Sequence, residues 1–360
     1  MTESDFIPSA DYSKLPGGSV RYQSPSNIAL VKYWGKYGEQ LPQNPSISFT
    51  LSNCHTTTTL AYKERSNGGD KIPFEVFLDG EAVPDFKPKI AKFFERIAIY
   101  MPFVKDYEYI IETSNSFPHS SGIASSASGM SALALCLMEM ERRMVVTMTD
   151  VFFNKKASFL ARLGSGSACR SIGGPLVVWG THATIEDSTN FYGTFYEGEI
   201  HKKFNNYQDT ILLVDKGEKQ VSSTVGHDLM HGHAFAKARF SQAHDNLSSL
   251  MQVFKEGDVD QFIKIVESEA LTLHAMMMTS HPYFILMKPK TLEIINEIWA
   301  YRNNTGSKIC FTLDAGANVH VLYPENEKEA VQDFITTQLS KFCQNGHYIN
   351  DYVGNGAKMM

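Results

Sequence analysis

The chain has 360 residues, 43% hydrophobic and 20% charged, with 25 Gly and 14 Pro, which suits one large or two ordinary domains and excludes disordered, collagenous and fibrous classes. Lys plus Arg total 33 against 39 Asp plus Glu, a formal charge of −6, so a protein-wide footprint for nucleic acid is missing and an anionic ligand must be held by a local cluster. No apolar run approaches the roughly 18 residues of a membrane span, the first residues lack a signal-peptide pattern, and Cys54, Cys136, Cys169, Cys310 and Cys343 are scattered without a CxxC pair; together these predict a cytoplasmic protein with reduced thiols.

Residues 1 to about 20 are polar, broken by Pro16, Gly17 and Gly18, and read as an extended arm. Ile47 to Tyr62 and Phe74 to Leu78 read as strands, the second entering the Asp79-Gly80 hairpin turn. Ile90, Phe93, Phe94, Ile97 and Ala98 recur at helical spacing, and Tyr107 to Glu112 alternates as a strand running into SNSFPHSSGIASSASG. A buried helix follows from Gly122 through Leu137, and a second starts at the Thr149-Asp150 cap and delivers the chain to GSGSACRSIGG. Pro175 to Trp179 is a buried strand, and the polar, aperiodic stretch Ala183 to Tyr207 reads as a domain junction. Beyond it, strands are expected at Thr210 to Asp215, Lys308 to Leu313 and Val319 to Tyr323, with helices at Asp228 to Phe254, Val259 to Met276 and Glu327 to Leu339, an α+β pattern without internal repeats.

Strand, glycine and serine loop, then helix is the order of an anion cradle: small residues let backbone approach the ligand, and the helix start supplies N–H groups and a positive dipole. Ser120 to Ser128, SSGIASSAS, fits that order, whereas GxxxxGK[ST] and GxGxxG are both absent, which disfavours the common nucleotide folds. A small-residue helix packed on its neighbour is the plain alternative. GSGSACRS adds Ser165, Ser167 and Arg170, hydroxyls and a guanidinium able to grip a phosphate or carboxylate through two bonds. In NIALVKYWGKYGEQ, Lys32 and Lys36 flank Tyr33, Trp34 and Gly35 after an apolar run, which aims at least one lysine into a cleft. Asp314 lies between a strand and a glycine turn, where a lone carboxylate usually caps the turn. His227, His231 and His233 offer half a metal site with no matching partner pattern, and Met276, Met277 and Met278 read as core filler.

NIALVKYWGK, SFPHSSGIASSASG, GSGSACRSIGG, VSSTVG and FTLDAGANV stand in the order and spacing of the mevalonate diphosphate decarboxylase family of the GHMP kinase superfamily, which the chain resembles from about residue 22 to 356. The resemblance implies an N-terminal lobe like ribosomal protein S5 domain 2 at residues 21–200, after an arm at 1–20, and a ferredoxin-like lobe at 201–360, with the active site between them. It also implies ATP- and Mg2+-dependent decarboxylation of mevalonate 5-diphosphate to isopentenyl diphosphate, ADP, phosphate and CO2 by a homodimer, with no nucleic-acid or membrane partner. By the same resemblance Asp314, Arg170 and Lys32 are catalytic, and Ser120, Ser121, Gly122, Ala124, Ser125 and Ser126 bind ATP, Ser125 meeting the phosphates and magnesium. Tyr33, Lys36, Ser165, Ser167, Arg170, Ser223 and His227 fall on substrate-binding positions, and no protein residue is assigned as a metal ligand. The chain departs from the family pattern at His119-Ser120 (TA in FPTA), at Pro45 (serine) and at His227 (methionine). His227 keeps two alternatives open: a mevalonate monophosphate decarboxylase, or a mevalonate kinase of the superfamily that stops at phosphorylation.

Overall fold

The structure is a computed structural model that describes every residue except 10, 11, 67, 68, 70, 119–122 and 216–222 and, of residues 223 and 224, the backbone alone. The chain is α+β and, among the described residues, builds two large sheets and one two-stranded hairpin. The first half runs β1 (Gly18–Val31), the short hairpin β2 (Lys36–Tyr37) and β3 (Leu41–Pro42), β4 (Ser46–Glu64), β5 (Phe74–Leu78), β6 (Glu81–Ala82), α1 (Lys87–Ile97), β7 (Tyr107–Asn115), α2 (Ser125–Met144), α3 (Asp150–Gly164), β8 (Leu176–Trp179) and β9 (Thr194–Phe195). The second half runs β10 (Gln208–Leu212), α4 (Ser223–Asp228), α5 (Ala236–Glu256), α6 (Val259–Met278), α7 (Pro289–Thr305), β11 (Cys310–Thr312), β12 (Val319–Tyr323), α8 (Lys328–Phe334), β13 (Tyr348–Tyr352) and β14 (Lys358–Met359).

Among the described residues the first sheet is ordered β14-β1-β4-β7-β5-β6, with β8 on β4 and β9 on β8, and the second β11-β12-β10-β13. β1 and β4 are antiparallel from Gly18 opposite Tyr62 to Val31 opposite Ile47, and among the described residues only β5 and β7 run parallel. Threonines suit the pleated surface of β4, where burial alternates from Cys54 to Tyr62. The inward hydroxyls find partners on α2: Thr56 Oγ1 lies 2.6 Å from Ser128 Oγ, and Ser24 Oγ of β1 donates to Ser131 Oγ at 2.8 Å. A helix rich in small residues therefore lies flat on a hydroxyl-bearing sheet, with these buried hydroxyls paired to one another. Asp79 and Gly80 take positive φ, 52° and 87°, as the expected two-residue turn requires, and Thr149 Oγ1 caps α3 by accepting Phe152 N–H at 3.2 Å.

Four expectations change. Glu3–Phe6 is a short 3₁₀ helix rather than part of an extended arm, because Phe6 is fully buried and stacks on Phe159 with centroids 4.5 Å apart. The stretch read as a domain junction contains β9, which pairs with β8, and Phe191 O accepts Arg162 Nε at 2.8 Å, so its first part belongs to the first sheet. The helix expected from Asp228 is interrupted: α4 ends at Asp228 and α5 starts at Ala236, with Gly232 at φ +74° between them. After Phe334 the last helix widens to a π turn over Ile335–Leu339. The sequence reading left α7 unassigned. The chain also returns: β14 pairs with β1 in the first sheet, while Asp351 accepts the N–H groups of Ser52, Asn53 and Cys54 at 2.7–2.8 Å.

The α5 and α6 helices join the two halves, since Leu247, Leu250, Phe254, Phe262 and Val266 share one core with Ile28, Leu30 and Phe49 of β1 and β4. A second cluster, Trp34 with Met230, Leu273, Met276 and Met277, closes the junction beside the end of β1, and Met278 stays exposed. All five cysteines are buried and free, and no helix is long and apolar enough to cross a membrane among the described residues.

Candidate active site

The seam between the halves opens into a cleft of about 530 Å3. Its described lining carries six cations, Lys32, Lys36, Lys89, Lys92, Arg96 and Arg170, against one carboxylate, Asp314. In a chain of net charge −6 this is a concentrated anion site.

At the deep end β1 delivers Lys32, and the turn after β11 delivers Asp314; Lys32 Nζ donates to Asp314 Oδ1 at 3.0 Å. Lys32 is 1% exposed, and burial pulls its ammonium below the usual lysine range, opposed first by Asp314 and then by Glu269. His274 of α6 donates from Nε2 to the Asp314 carbonyl at 3.2 Å, and burial holds its imidazole neutral, down to about 4. The aspartate is thus built into the site rather than left as a plain turn cap. Arg170 is buried beneath the Trp179 ring, donating from Nε to Ser48 Oγ at 2.6 Å and from Nη1 to Ser46 Oγ at 2.7 Å. Two of its donors are thus committed to the serines, and the same side chain lines the cleft. Burial pulls Arg170 down, while Cys169 and Asp314 favour its charge.

Towards the mouth, Tyr33 lies between Trp179 and His227, with centroids 4.6 and 4.2 Å away. Its hydroxyl is buried without a protein partner. Gly166 is required here, because a Cβ would come 2.9 Å from both Tyr33 Oη and the Trp179 ring. His227 does not turn to solvent. Gly35 N–H donates to its Nδ1 at 3.0 Å, the Trp34 ring lies tilted beside it with centroids 4.7 Å apart, and burial pushes the imidazole down to about 3. A neutral ring whose Nδ1 accepts carries its proton on Nε2. Lys36 sits half-buried on the β2 strand; burial lowers its pKa, Asp228 opposes this, and Arg96 and Lys92 add to it.

Across the cleft, Ala124 at φ 47° and Ser126 stand at the start of α2, and Ser126 Oγ lies 3.3 Å from Ser165 Oγ. Ser165 and Ser167 line the same wall. Ser125, the first residue of α2, is half-buried and is not among the lining residues. His119, Ser120, Ser121, Gly122 and the side chain of Ser223 lie outside the described residues.

Sequence reasoning missed Lys89, Lys92 and Arg96, which take the solvent-like face of amphipathic α1 opposite Ile90, Phe93, Phe94 and Ile97. Their i, i+3, i+7 spacing was the available signal, and it is shared by every solvated helix. Ser46 and Ser48 gave none. The other histidines do not gather: His233 accepts Phe235 N–H at Nδ1 and pairs with Met276 O at Nε2, and His231 is exposed. Among the described residues no group of three or more His, Cys, Asp or Glu is placed to hold a metal.

Two family models cover most of the chain: the diphosphomevalonate decarboxylase-like N-terminal domain over residues 24–190 and the mevalonate 5-diphosphate decarboxylase C-terminal domain over residues 210–357. A diphosphomevalonate decarboxylase of Gibberella zeae is 27% identical over 86% of this chain and 81% of its own. A phosphomevalonate decarboxylase of Haloferax volcanii is 24% identical over 85% of this chain and 88% of its own. The solved structure of MDDEF in complex with MVAPP, AMPPCP and magnesium superposes with a TM-score of 0.80 at 27% identity, over 95% of this chain and 98% of that one.

Proposed function

The chain belongs to the diphosphomevalonate decarboxylase family of the GHMP superfamily, and from that premise we infer that it carries out ATP-dependent decarboxylation of mevalonate 5-diphosphate in the mevalonate pathway to isoprenoids. The observation that carries the reading is the Lys32–Asp314 pair, 3.0 Å apart at the closed end of a cation-lined cleft. A tertiary hydroxyl leaves poorly, so ATP phosphorylates it first. Asp314 would orient the 3-hydroxyl and accept its proton. Lys32 beside it would neutralise charge on the transferred phosphoryl group. Phosphate then departs with the C–O bonding pair, and the substrate carboxylate supplies the electrons that quench the tertiary centre as CO2 is lost. Once its proton has passed to the departing phosphate, the Asp314 carboxylate would stabilise that developing positive charge, and Arg170 would hold the carboxylate side of the substrate.

Tyr33, Lys36, Ser165, Ser167, Ser223 and His227 would bind the rest of the substrate, the orphaned Tyr33 hydroxyl being the clearest vacancy for an anion. Ala124, Ser125 and Ser126, with Ser120, Ser121 and Gly122, would cradle ATP at the start of α2. Ser125 would supply a hydroxyl to magnesium held with the nucleotide phosphates. Bound there, it supplies charge neutralisation on the phosphates. A cytoplasmic homodimer completes the reading, with light scattering as its check.

A second reading rests on His227, whose neutral ring offers a terminal phosphate one uncharged Nε2–H donor. Mevalonate monophosphate then becomes the better substrate, the class of substrate for which the Haloferax relative is named. Incubation with ATP, magnesium and either mevalonate phosphate, with CO2 and ADP measured in parallel, tests both. Equal CO2 and ADP with the diphosphate preferred is the expected result; ADP without CO2 makes the protein a kinase, and a monophosphate turned over as well or better selects the second reading.

A further inference from the structure

Lys32 is held at its backbone as well as its ammonium, and the holders come from the other half of the molecule. Glu269 of α6 accepts Lys32 N–H on Oε2 at 2.8 Å. Arg239 of α5 donates from Nη2 to Lys32 O at 3.1 Å, where Asn44 Nδ2 also donates at 2.9 Å. The two holders are themselves a two-bonded pair, Arg239 Nη1 to Glu269 Oε1 at 2.8 Å and Nη2 to Oε2 at 2.5 Å. Asn246 Nδ2 completes Glu269 Oε1 at 2.6 Å, and both charged side chains are 0% exposed.

An ion pair out of water costs desolvation that apolar side chains of the same size would avoid, so stability alone is a weak reason for one. Two rigid bidentate groups do something an apolar pair cannot: they fix one residue's backbone by its N–H and its C=O, and so two successive peptide units, at once. Here that residue is the one whose Nζ lies on Asp314.

We propose that Glu269 and Arg239 are positioning residues that lock the Lys32 backbone across the seam, so that the Lys32 ammonium meets Asp314 and the transferred phosphoryl group only when the two halves are docked. The inference rests on the functional reading above. Glu269 has a second, electrostatic effect. The charged groups around Lys32 are Asp314, Glu269, Arg170 and Arg239, with His274 and Asp209 further round; burial disfavours the ammonium, and Asp314 and Glu269 are the charges that oppose it. Removing the Glu269 charge therefore lowers the pH at which Lys32 loses its proton, an effect that a purely architectural pair would not have.

Wild-type protein is assayed first for CO2 and ADP. The variants are Glu269→Gln and the double Arg239→Met/Glu269→Leu, whose apolar pair needs no charged partner and is expected to fold. In Glu269→Gln, kcat is expected to fall at least about tenfold, as misplacement of a reacting group does, with KM for both substrates changed far less. Its alkaline limb moves about one pH unit to lower pH, the size of effect a nearby opposite charge has. The double variant keeps a wild-type-like Tm and the low kcat. Wild-type kcat with an unmoved alkaline limb in either folded variant overturns the proposal, and failure of both to fold overturns it too, since the pair is then a stability element first. If the wild type forms ADP without CO2, the functional reading falls and the same variants are read on ADP formation, so the two failures separate.

Discussion

Lys32 and Lys36 are four residues apart in sequence and belong to different physical regimes. Lys32 is 1% exposed, bonded at N–H, C=O and Nζ, and set in a low-dielectric seam. Lys36 sits half-buried on a two-residue strand, and its surroundings are a loose array of charges from α1 and α4. Geometry decides what happens at the inner lysine, whereas summed charge decides it at the outer one. Inner substitutions should therefore reduce turnover and resist salt, while outer substitutions should weaken binding and respond to it.

The largest expected effect tests the inner end. Asp314→Asn removes charge with little change of shape and should lower kcat by about 10²- to 10⁴-fold while ATP binding persists. Near-wild-type turnover would remove Asp314 from the chemistry. Arg170→Lys comes next: the fork that holds Ser46 and Ser48 while facing the cleft cannot be copied by a point charge. The loss of charge-assisted bonds of about 1.5–3 kcal/mol predicts kcat/KM lower by at least about tenfold, insensitive to salt between low and physiological strength. A change within twofold would make Arg170 a structural loop residue.

At the outer end, Lys36→Ala should raise KM for the diphosphate by about tenfold with kcat within a few fold, and should shrink its preference over the monophosphate. Added salt should narrow the gap between wild type and variant; a salt-independent kcat defect would erase the distinction between the two lysines. The smallest effect concerns His227 and pH. Its imidazole is held down to about 3, and that of His274 to about 4, against 6.5 when unfolded. Unfolding therefore takes up protons below 6.5, so this contribution to stability is complete above that pH and is lost as pH falls towards 4. Tm measured from pH 7 to 4 should decline, less steeply in His227→Met, and an identical slope in the variant would contradict the neutral, buried imidazole.

The same contrast explains what could be read in advance. Loops that line the cleft carry rare residue combinations, so KYWGK, GSGSACR and the α2 start were visible, as were local signals such as the Asp79-Gly80 turn and the Thr149 cap. Supports carry no local signature. Glu269 is one of three acidic residues on α6, its partner 237 positions away in the chain, and Ser46 and Ser48 look like ordinary strand residues. Phe6 was lost in a polar stretch, although its ring is wholly buried. The α1 cations were hidden for the opposite reason: their pattern is that of any wet helix face, and only the second lobe turns it into a wall of the cleft.

The strand that covers the free edge of β1 at Tyr22 and Gln23 is supplied by Lys358 and Met359, and Gly354 N–H reaches back to Thr50 O at 2.8 Å. During synthesis the first sheet is thus made in two instalments. A nascent chain that has emerged only to about residue 200 holds β1 and β4 but shows one bare edge, the kind that invites pairing with other chains. The ribosome must deliver some 150 further residues before that edge is covered, so the interval in which this protein needs protection from its neighbours is set by the order of translation rather than by the stability of either lobe.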